Sequence, residues 1–217
     1  SDLLNLELSP KWISTFHSLC VKMLRIHGHL IGFNNNFTIY DQSDSTKLVR
    51  NCMRDSDIDT KQYSPKRIQA HISSLKNQRI LPGEAVEFAQ SFFDVKVAEI
   101  YSSYQKKLML ANSMDFDDLL IKAVELLETS DKSLNYWSSK FQYIMIDEYQ
   151  DTNMVQYRLV ELLASKHKNI CVVGDSDQSI YAFRGADIRN IEEFESDFKD
   201  AKVISLEKNY RSSQKIL

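Results

Sequence analysis

The feature that most constrains this chain is the run Phe141-Gln142-Tyr143-Ile144-Met145-Ile146, which stops at two adjacent carboxylates, Asp147 and Glu148, and continues Tyr149-Gln150-Asp151. A short, bulky, mostly apolar run predicts a strand buried on both faces, as parallel sheets require. In an open parallel sheet, ligands bind where strands end. An Asp-Glu pair at that place suits nucleotide hydrolysis, because one carboxylate can hold Mg²⁺, directly or through its waters, while its neighbour orients or deprotonates an attacking water. An acidic turn after a core strand would look the same, so the surrounding pattern has to decide.

That pattern is an alternation. Asn153 to Ser165 places Val155, Leu159, Leu162 and Leu163 at helical spacing, and Asn169 to Val173 reads as a second buried strand ending at Gly174-Asp175. A helix around Ile188 to Phe198 and a strand from Lys202 to Leu206 lead on to Asn209-Tyr210-Arg211. Strand, helix, strand, helix, strand predicts an α/β fold with a parallel sheet and right-handed crossovers. Upstream, Trp12-Ile13-Ser14-Thr15 reads as a short strand, followed by Phe16-His17-Ser18 and a helix with Leu19, Met23, Leu24 and His27 on one face, broken by Gly28 and Gly32. Phe37 to Tyr40 is a further extended piece.

The middle of the chain has another character. Ser43 to Cys52 and Pro65 to Lys76 read as helices, Glu84 to Ala111 as one or two long ones, and another follows Met114-Asp115-Phe116-Asp117-Asp118. Residues 41–111 therefore look like a helical insertion into the α/β frame, and 217 residues suffice for a core with an insertion. Between Lys61 and Gly83 there is no acidic residue and there are five basic ones, Lys61, Lys66, Arg67, Lys76 and Arg79. They could touch phosphates or simply form a solvated helix face.

Net charge is −3, which excludes a polycation that coats nucleic acid nonspecifically, so any such binding must be local. No apolar run is long enough to cross a bilayer, so no membrane partner is expected. Cys20, Cys52 and Cys171 form no CxxC pair, which points to a reducing, cytoplasmic setting.

If the strands are parallel, polar clusters follow one strand after another along one edge: Thr15-Phe16-His17, Asp147-Glu148, Gly174-Asp175 with Gln178, and Asn209-Tyr210-Arg211. There, Gln178 could report a γ-phosphate by hydrogen bonding, and Arg211 could neutralise charge on the transferred group. Tyr181 and Phe183 beside Arg184 suit stacking on exposed bases of a single strand. Core packing of the two rings, and pairing of Arg184 with Asp177 or Asp187, is the competing reading.

Taken in order, Thr15-Phe16-His17-Ser18, Asp115-Phe116-Asp117-Asp118-Leu119-Leu120, Ile146 to Asn153, Val173 to Asp187 and Asn209-Tyr210-Arg211-Ser212 resemble five motifs of the UvrD/Rep/PcrA family of superfamily 1 DNA helicases. The Asp-Glu-Tyr-Gln form is closest to its PcrA branch. The resemblance implies a 3′ to 5′ single-stranded-DNA translocase that couples ATP hydrolysis to unwinding in DNA repair or replication. It also implies a bacterial-type, nucleoid-associated setting, with junctions of single- and double-stranded DNA as substrates.

On this resemblance Asp147 is the Mg²⁺-associated carboxylate, Glu148 the water-activating one and Gln178 the γ-phosphate sensor. Arg211 is an arginine finger and Tyr210 the neighbour of the nucleotide base. Thr15, Phe16, His17, Tyr181, Phe183 and Arg184 fall where the family touches the single strand. Many relatives carry Trp where this chain has Phe183, which makes its stacking surface smaller.

One family element is missing: no G-x-x-x-x-G-K-[ST] occurs in these 217 residues. The expectation is a piece of such a helicase: residues 1–40 and 112–217 as a partial RecA-like first motor domain of P-loop NTPase type, with 41–111 as an inserted all-helical accessory subdomain. Such a piece is expected to be inactive by itself and to dimerise or aggregate through an exposed sheet edge. Alternatives are the helicase subunit of a recombination helicase-nuclease and an ATP-independent nucleic-acid-binding module. A metal-dependent nuclease built on Asp115, Asp117, Asp118 and Asp147 competes with their use as helix caps. His27 and His29 lack an evident third ligand for zinc.

Overall fold

Side-chain caps decide where most helices begin in the computed structural model, which describes residues 12–178, 194, 196, 198–206 and 208. Helix α1 (Phe16–His27) starts at Thr15, whose hydroxyl accepts from the Ser18 amide. It runs into a 3₁₀ turn, Gly28–Ile31, closed by Gly32 at φ +86°, a left-handed conformation that suits a residue without Cβ. Strand β1 (Thr38–Ile39) precedes α2 (Gln42–Asp55), capped by Asp41. Next comes α3 (Pro65–Asn77), with proline in its first turn, where a missing amide costs nothing, and then α4 (Phe92–Leu110), capped by Ser91. Strand β2 (Ser113–Met114) leads into α5 (Phe116–Thr129), opened by a reciprocal capping box between Asp115 and Asp118. The order then runs α6 (Asp131–Lys140), β3 (Ile144–Ile146), α7 (Met154–Ala164), opened by an Asn153–Gln156 box, and β4 (Ile170–Val172).

The described strands form two parallel pairs. β1 lies beside β2 with Thr38 opposite Ser113, so helices α2 to α4 make up the crossover that a parallel pair needs. β3 lies beside β4 with Ile144, Met145 and Ile146 opposite Ile170, Cys171 and Val172.

Apolar burial is divided. α5 packs against α1, α6 and α7, burying Met23, Leu24, Leu120, Leu127, Trp137 and Leu159. A separate core joins α2, α3 and α4 through Val49, Met53, Ile68, Ile72, Ile100 and Tyr104. A small third cluster sits by the β3–β4 pair, with Ile146, Tyr149, Val160 and Phe194.

Between the first two cores lies a polar seam. The ammonium of Lys76, wholly buried, donates to Asp115 at 2.7 Å and Asp118 at 2.8 Å. The Tyr104 hydroxyl donates to Asp115 and the Gln105 amide to Asp118. Burial alone would lower the Lys76 pKa, but the two carboxylates outweigh it and raise it.

Several sequence expectations need correction. Residues 13–15 form no strand: Thr15 is extended but serves as a helix cap. The long helix expected from Glu84 starts only at Phe92, because Ser91 and Asp94 bond each other's ends there and Leu81 to Ala89 make successive turns. Lys202 to Leu206 is not a strand and is solvent-exposed. β3 is buried on one face only, since Ile146 is buried while Tyr143 and Met145 are 81% and 78% exposed. α6 was not anticipated, although Ser130 at its start and Leu134, Trp137 and Phe141 spaced along one face mark it. Among the described residues the strands make two separate two-stranded parallel pairs within a mixed helix-and-strand architecture, where the sequence pattern predicts one larger parallel sheet. Most of the helix expected at Ile188 to Phe198 lies outside the described residues.

Candidate functional site

Parallel pairing gives β3 and β4 a common C-terminal edge. The ladder extends past both strands, with the Val173 amide donating to Ile146 at 2.8 Å and the Tyr149 amide to Val173 at 2.9 Å. This lays Asp147 and Glu148 beside Gly174 and Asp175. Glu148 takes a left-handed backbone, φ +51°, uncommon for a residue with a side chain and a local cost that active-site turns often carry. Both carboxylates are exposed. One oxygen of Asp147 accepts from the Glu148 amide, leaving the other as a hard oxygen donor on the open edge.

The two segments are tied by Gln150, which is 1% exposed. Its amide nitrogen donates to the Glu148 carboxylate at 2.6 Å, and its carbonyl accepts from the Asp175 amide at 3.0 Å. Gly174 is what lets them approach, because a Cβ there would lie 2.8 Å from the Gln150 carbonyl oxygen. Gln178 follows in a single turn, its side chain donating to the Asp175 carboxylate at 2.6 Å. Asp147, Glu148 and Gln178, singled out in the sequence, therefore share one edge. Nearby, the Asp151 carboxyl is pushed up by desolvation and by the Glu148 charge.

Thr15 caps α1, and Phe16 and His17 form its first turn rather than a strand end. Phe16 wedges between the main core and the β3–β4 cluster, so its ring is a packing element. His17 stacks on Phe116, ring centroids 3.9 Å apart and planes 24° from parallel. Its Nε2 is buried without a hydrogen-bond partner, and burial lowers its pKa. Phe116 leaves 58% of its surface in solvent. Gln150 and Phe116 both stand within the motifs, but the sequence assigns neither a role of its own. An aromatic residue between acidic ones at a helix start was the available signal for Phe116, and nothing in the local pattern marks Gln150 as buried. Tyr181, Phe183, Arg184, Tyr210 and Arg211 lie outside the described residues.

The second acidic group is of a different kind. Asp115 and Asp118 cap α5 and bind Lys76, and Asp117 accepts from Asn77 at 3.3 Å. Burial would raise Asp115, but Lys76 outweighs it and holds that carboxyl low, whereas burial and the Asp115 charge raise Asp118. With their oxygens committed in this way, Asp115 and Asp118 serve the fold, and the nuclease reading loses its ligands. The basic stretch is likewise broken up: Lys76 is buried, and Arg79 pairs with Glu128 at 2.9 Å.

The chain matches the family model of the UvrD/REP helicase N-terminal domain over residues 1–199. It is 48% identical over 211 residues to the ATP-dependent DNA helicase PcrA of Staphylococcus epidermidis, an alignment covering 97% of this chain and 29% of that protein. Against the ATP-dependent DNA helicase PcrA of Staphylococcus aureus, identity is again 48%, over 206 residues, with 95% and 28% covered. The chain thus spans under a third of the length of these curated relatives.

Proposed function

The chain belongs to the UvrD/REP helicase family, and on that premise we propose that it forms part of the first, RecA-like motor domain of an ATP-dependent DNA helicase. That protein would translocate 3′ to 5′ along single-stranded DNA in the cytoplasm, acting at single-strand to duplex junctions in repair or replication. The observation that carries this reading is the common edge of β3 and β4, where Asp147, Glu148 and Gln178 collect on a parallel pair. Among the described residues, no helix is long and apolar enough to cross a membrane.

The donor set fits the nucleotide chemistry. Asp147 offers an exposed oxygen of the type Mg²⁺ prefers, and Mg²⁺ in phosphoryl-transfer sites needs only one or two carboxylates beside the phosphates. Bound there, Mg²⁺ would neutralise charge on the phosphate oxygens. Glu148 accepts the proton of the attacking water, and Gln178 hydrogen-bonds the terminal phosphate. Arg211 and Tyr210 complete the site by the family pattern, at charge neutralisation and at the nucleotide base.

For DNA, the exposed Phe116 ring backed by His17 is a stacking platform for bases, one that works on any sequence because every base has a π face. Thr15, Tyr181, Phe183 and Arg184 extend the strand contact. Residues 41–111 form an accessory subdomain, supported by their own apolar core and by the β1–β2 pair at its base.

The deciding experiment is ATP turnover by the full-length protein with and without single-stranded DNA. DNA-stimulated hydrolysis is expected, and Glu148→Gln should keep ATP binding while lowering turnover by on the order of a hundredfold or more. Near-normal turnover by that variant removes Glu148 from its role.

A further inference from the structure

Gln150 is, among the described residues, the one wholly buried side-chain amide at the strand edge, and neither of its polar ends is idle. Its orientation is fixed by chemistry. The Asp175 backbone N–H can only donate, so the Gln150 carbonyl must face it, and the NH₂ group is thereby turned toward the Glu148 carboxylate. Asp175 carries the line onward, its two carboxylate oxygens accepting from the Asp177 amide at 3.0 Å and from the Gln178 side chain at 2.6 Å. A continuous run of hydrogen bonds therefore joins Glu148 to Gln178 through Gln150 and Asp175. The Gly174 backbone passes so close to the amide that even a methyl group would displace it.

We propose that Gln150 is a positioning residue: it aims the Glu148 carboxylate and locks that aim to the 174–178 segment, so that the water-activating group and the phosphate-sensing group move as one unit. The inference rests on the reading of Glu148 and Gln178 given above. The physical case is that Glu148 is otherwise an exposed, freely rotating side chain on a left-handed residue. A charge-assisted bond of 2.6 Å from a buried and immobile donor is what restricts it. Small errors in the aim of a catalytic group are costly, about a hundredfold in rate for 1 Å.

The test is steady-state ATP hydrolysis by the full-length protein with saturating single-stranded DNA, comparing wild type, Gln150→Met and Gln150→Glu. Methionine keeps the length and removes both hydrogen bonds. Glutamate keeps the shape and the acceptor toward Asp175 but sets a second carboxylate against Glu148. Both variants should lose about 10- to 100-fold in kcat, with KM for ATP moving less than about threefold, the signature of a transition-state rather than a binding defect. In a Glu148→Gln background, Gln150→Met should add less than about twofold, because residues that act as a unit are not additive.

Unchanged kcat in Gln150→Met, while Glu148→Gln is crippled, overturns this inference and leaves the assignment of Glu148 standing. Near-normal turnover by Glu148→Gln overturns both. A parallel loss of ATP affinity and turnover, full additivity with Glu148→Gln, or loss of the fold in both Gln150 variants would make Gln150 a scaffold residue and also overturn the proposal.

Discussion

Two acidic pairs, Asp147-Glu148 and Asp115/Asp118, look equally suited to catalysis when read as letters, yet the fold treats them in opposite ways. The first sits exposed on a strand edge and meets no lysine or arginine in the ion pairs of the described residues; its partners are the Glu148 backbone amide and the neutral Gln150. The second is buried, caps a helix and is matched to the wholly buried Lys76. A carboxylate can work on a ligand only if its charge is not already spent inside the protein. Whether a cation lies within reach is decided by residues about 40 positions away, since Lys76 is 39 residues from Asp115 and 42 from Asp118.

The sharpest way to break this comparison is Lys76→Met, which leaves two buried carboxylates facing each other. A loss of about 3–5 kcal/mol is expected, as for other buried pairs stripped of one partner. It should be visible as lowered thermal stability and as faster hydrogen exchange along α3 and the start of α5. If stability is unchanged, the Lys76 cluster is not what joins the two cores. Next in size, Phe116→Ala should weaken single-stranded-DNA binding by about 1–3 kcal/mol while leaving the fold intact, since the ring is largely exposed. Unchanged affinity would return the His17–Phe116 stack to a packing role.

Asp147→Asn supplies the contrast with Lys76. On an exposed edge it should alter stability by no more than about 0.5 kcal/mol, while ATP turnover falls sharply. Comparable destabilisation by Asp147→Asn and Lys76→Met would erase the distinction between the pairs.

The smallest effect concerns pH. Burial lowers the His17 pKa, so the folded protein keeps this ring neutral at pH values where the unfolded chain protonates it. The unfolded state then binds more protons, and stability rises with pH. His17 contributes stability that is present above its unfolded value of about 6.5 and lost as pH falls through that value toward the lowered one. Replacing it by Gln should flatten the stability profile between about pH 5 and 7; an unaltered slope would show that other groups set it.

Much of this was legible beforehand. The helices at 42–55, 65–77 and 154–164 follow from apolar spacing together with Asp41, Pro65 and Asn153 at their starts. The strand run ending at Asp147 and the one ending at Gly174 were legible because a short apolar run needs no distant partner to mark it, whereas their exposure on one face was not. Trp12 to Thr15 misled because an extended stretch of small and bulky residues is compatible with both a strand and the approach to a helix cap. The Thr15 hydroxyl, by accepting from Ser18, settles the matter.

The sequence by itself determined helices α2, α3, α5 and α7, the two strand runs with their acidic and glycine-bearing ends and the family to which the motifs point, because each depends on neighbours within a few residues. Only the tertiary structure decided that Lys76 silences Asp115 and Asp118, that Gln150 holds Glu148 to the Asp175 segment, and that Phe116 stands open on His17 while Phe16, half-buried, packs between two cores. Those outcomes turn on charge and burial, and both are set by residues that meet only when the chain has folded.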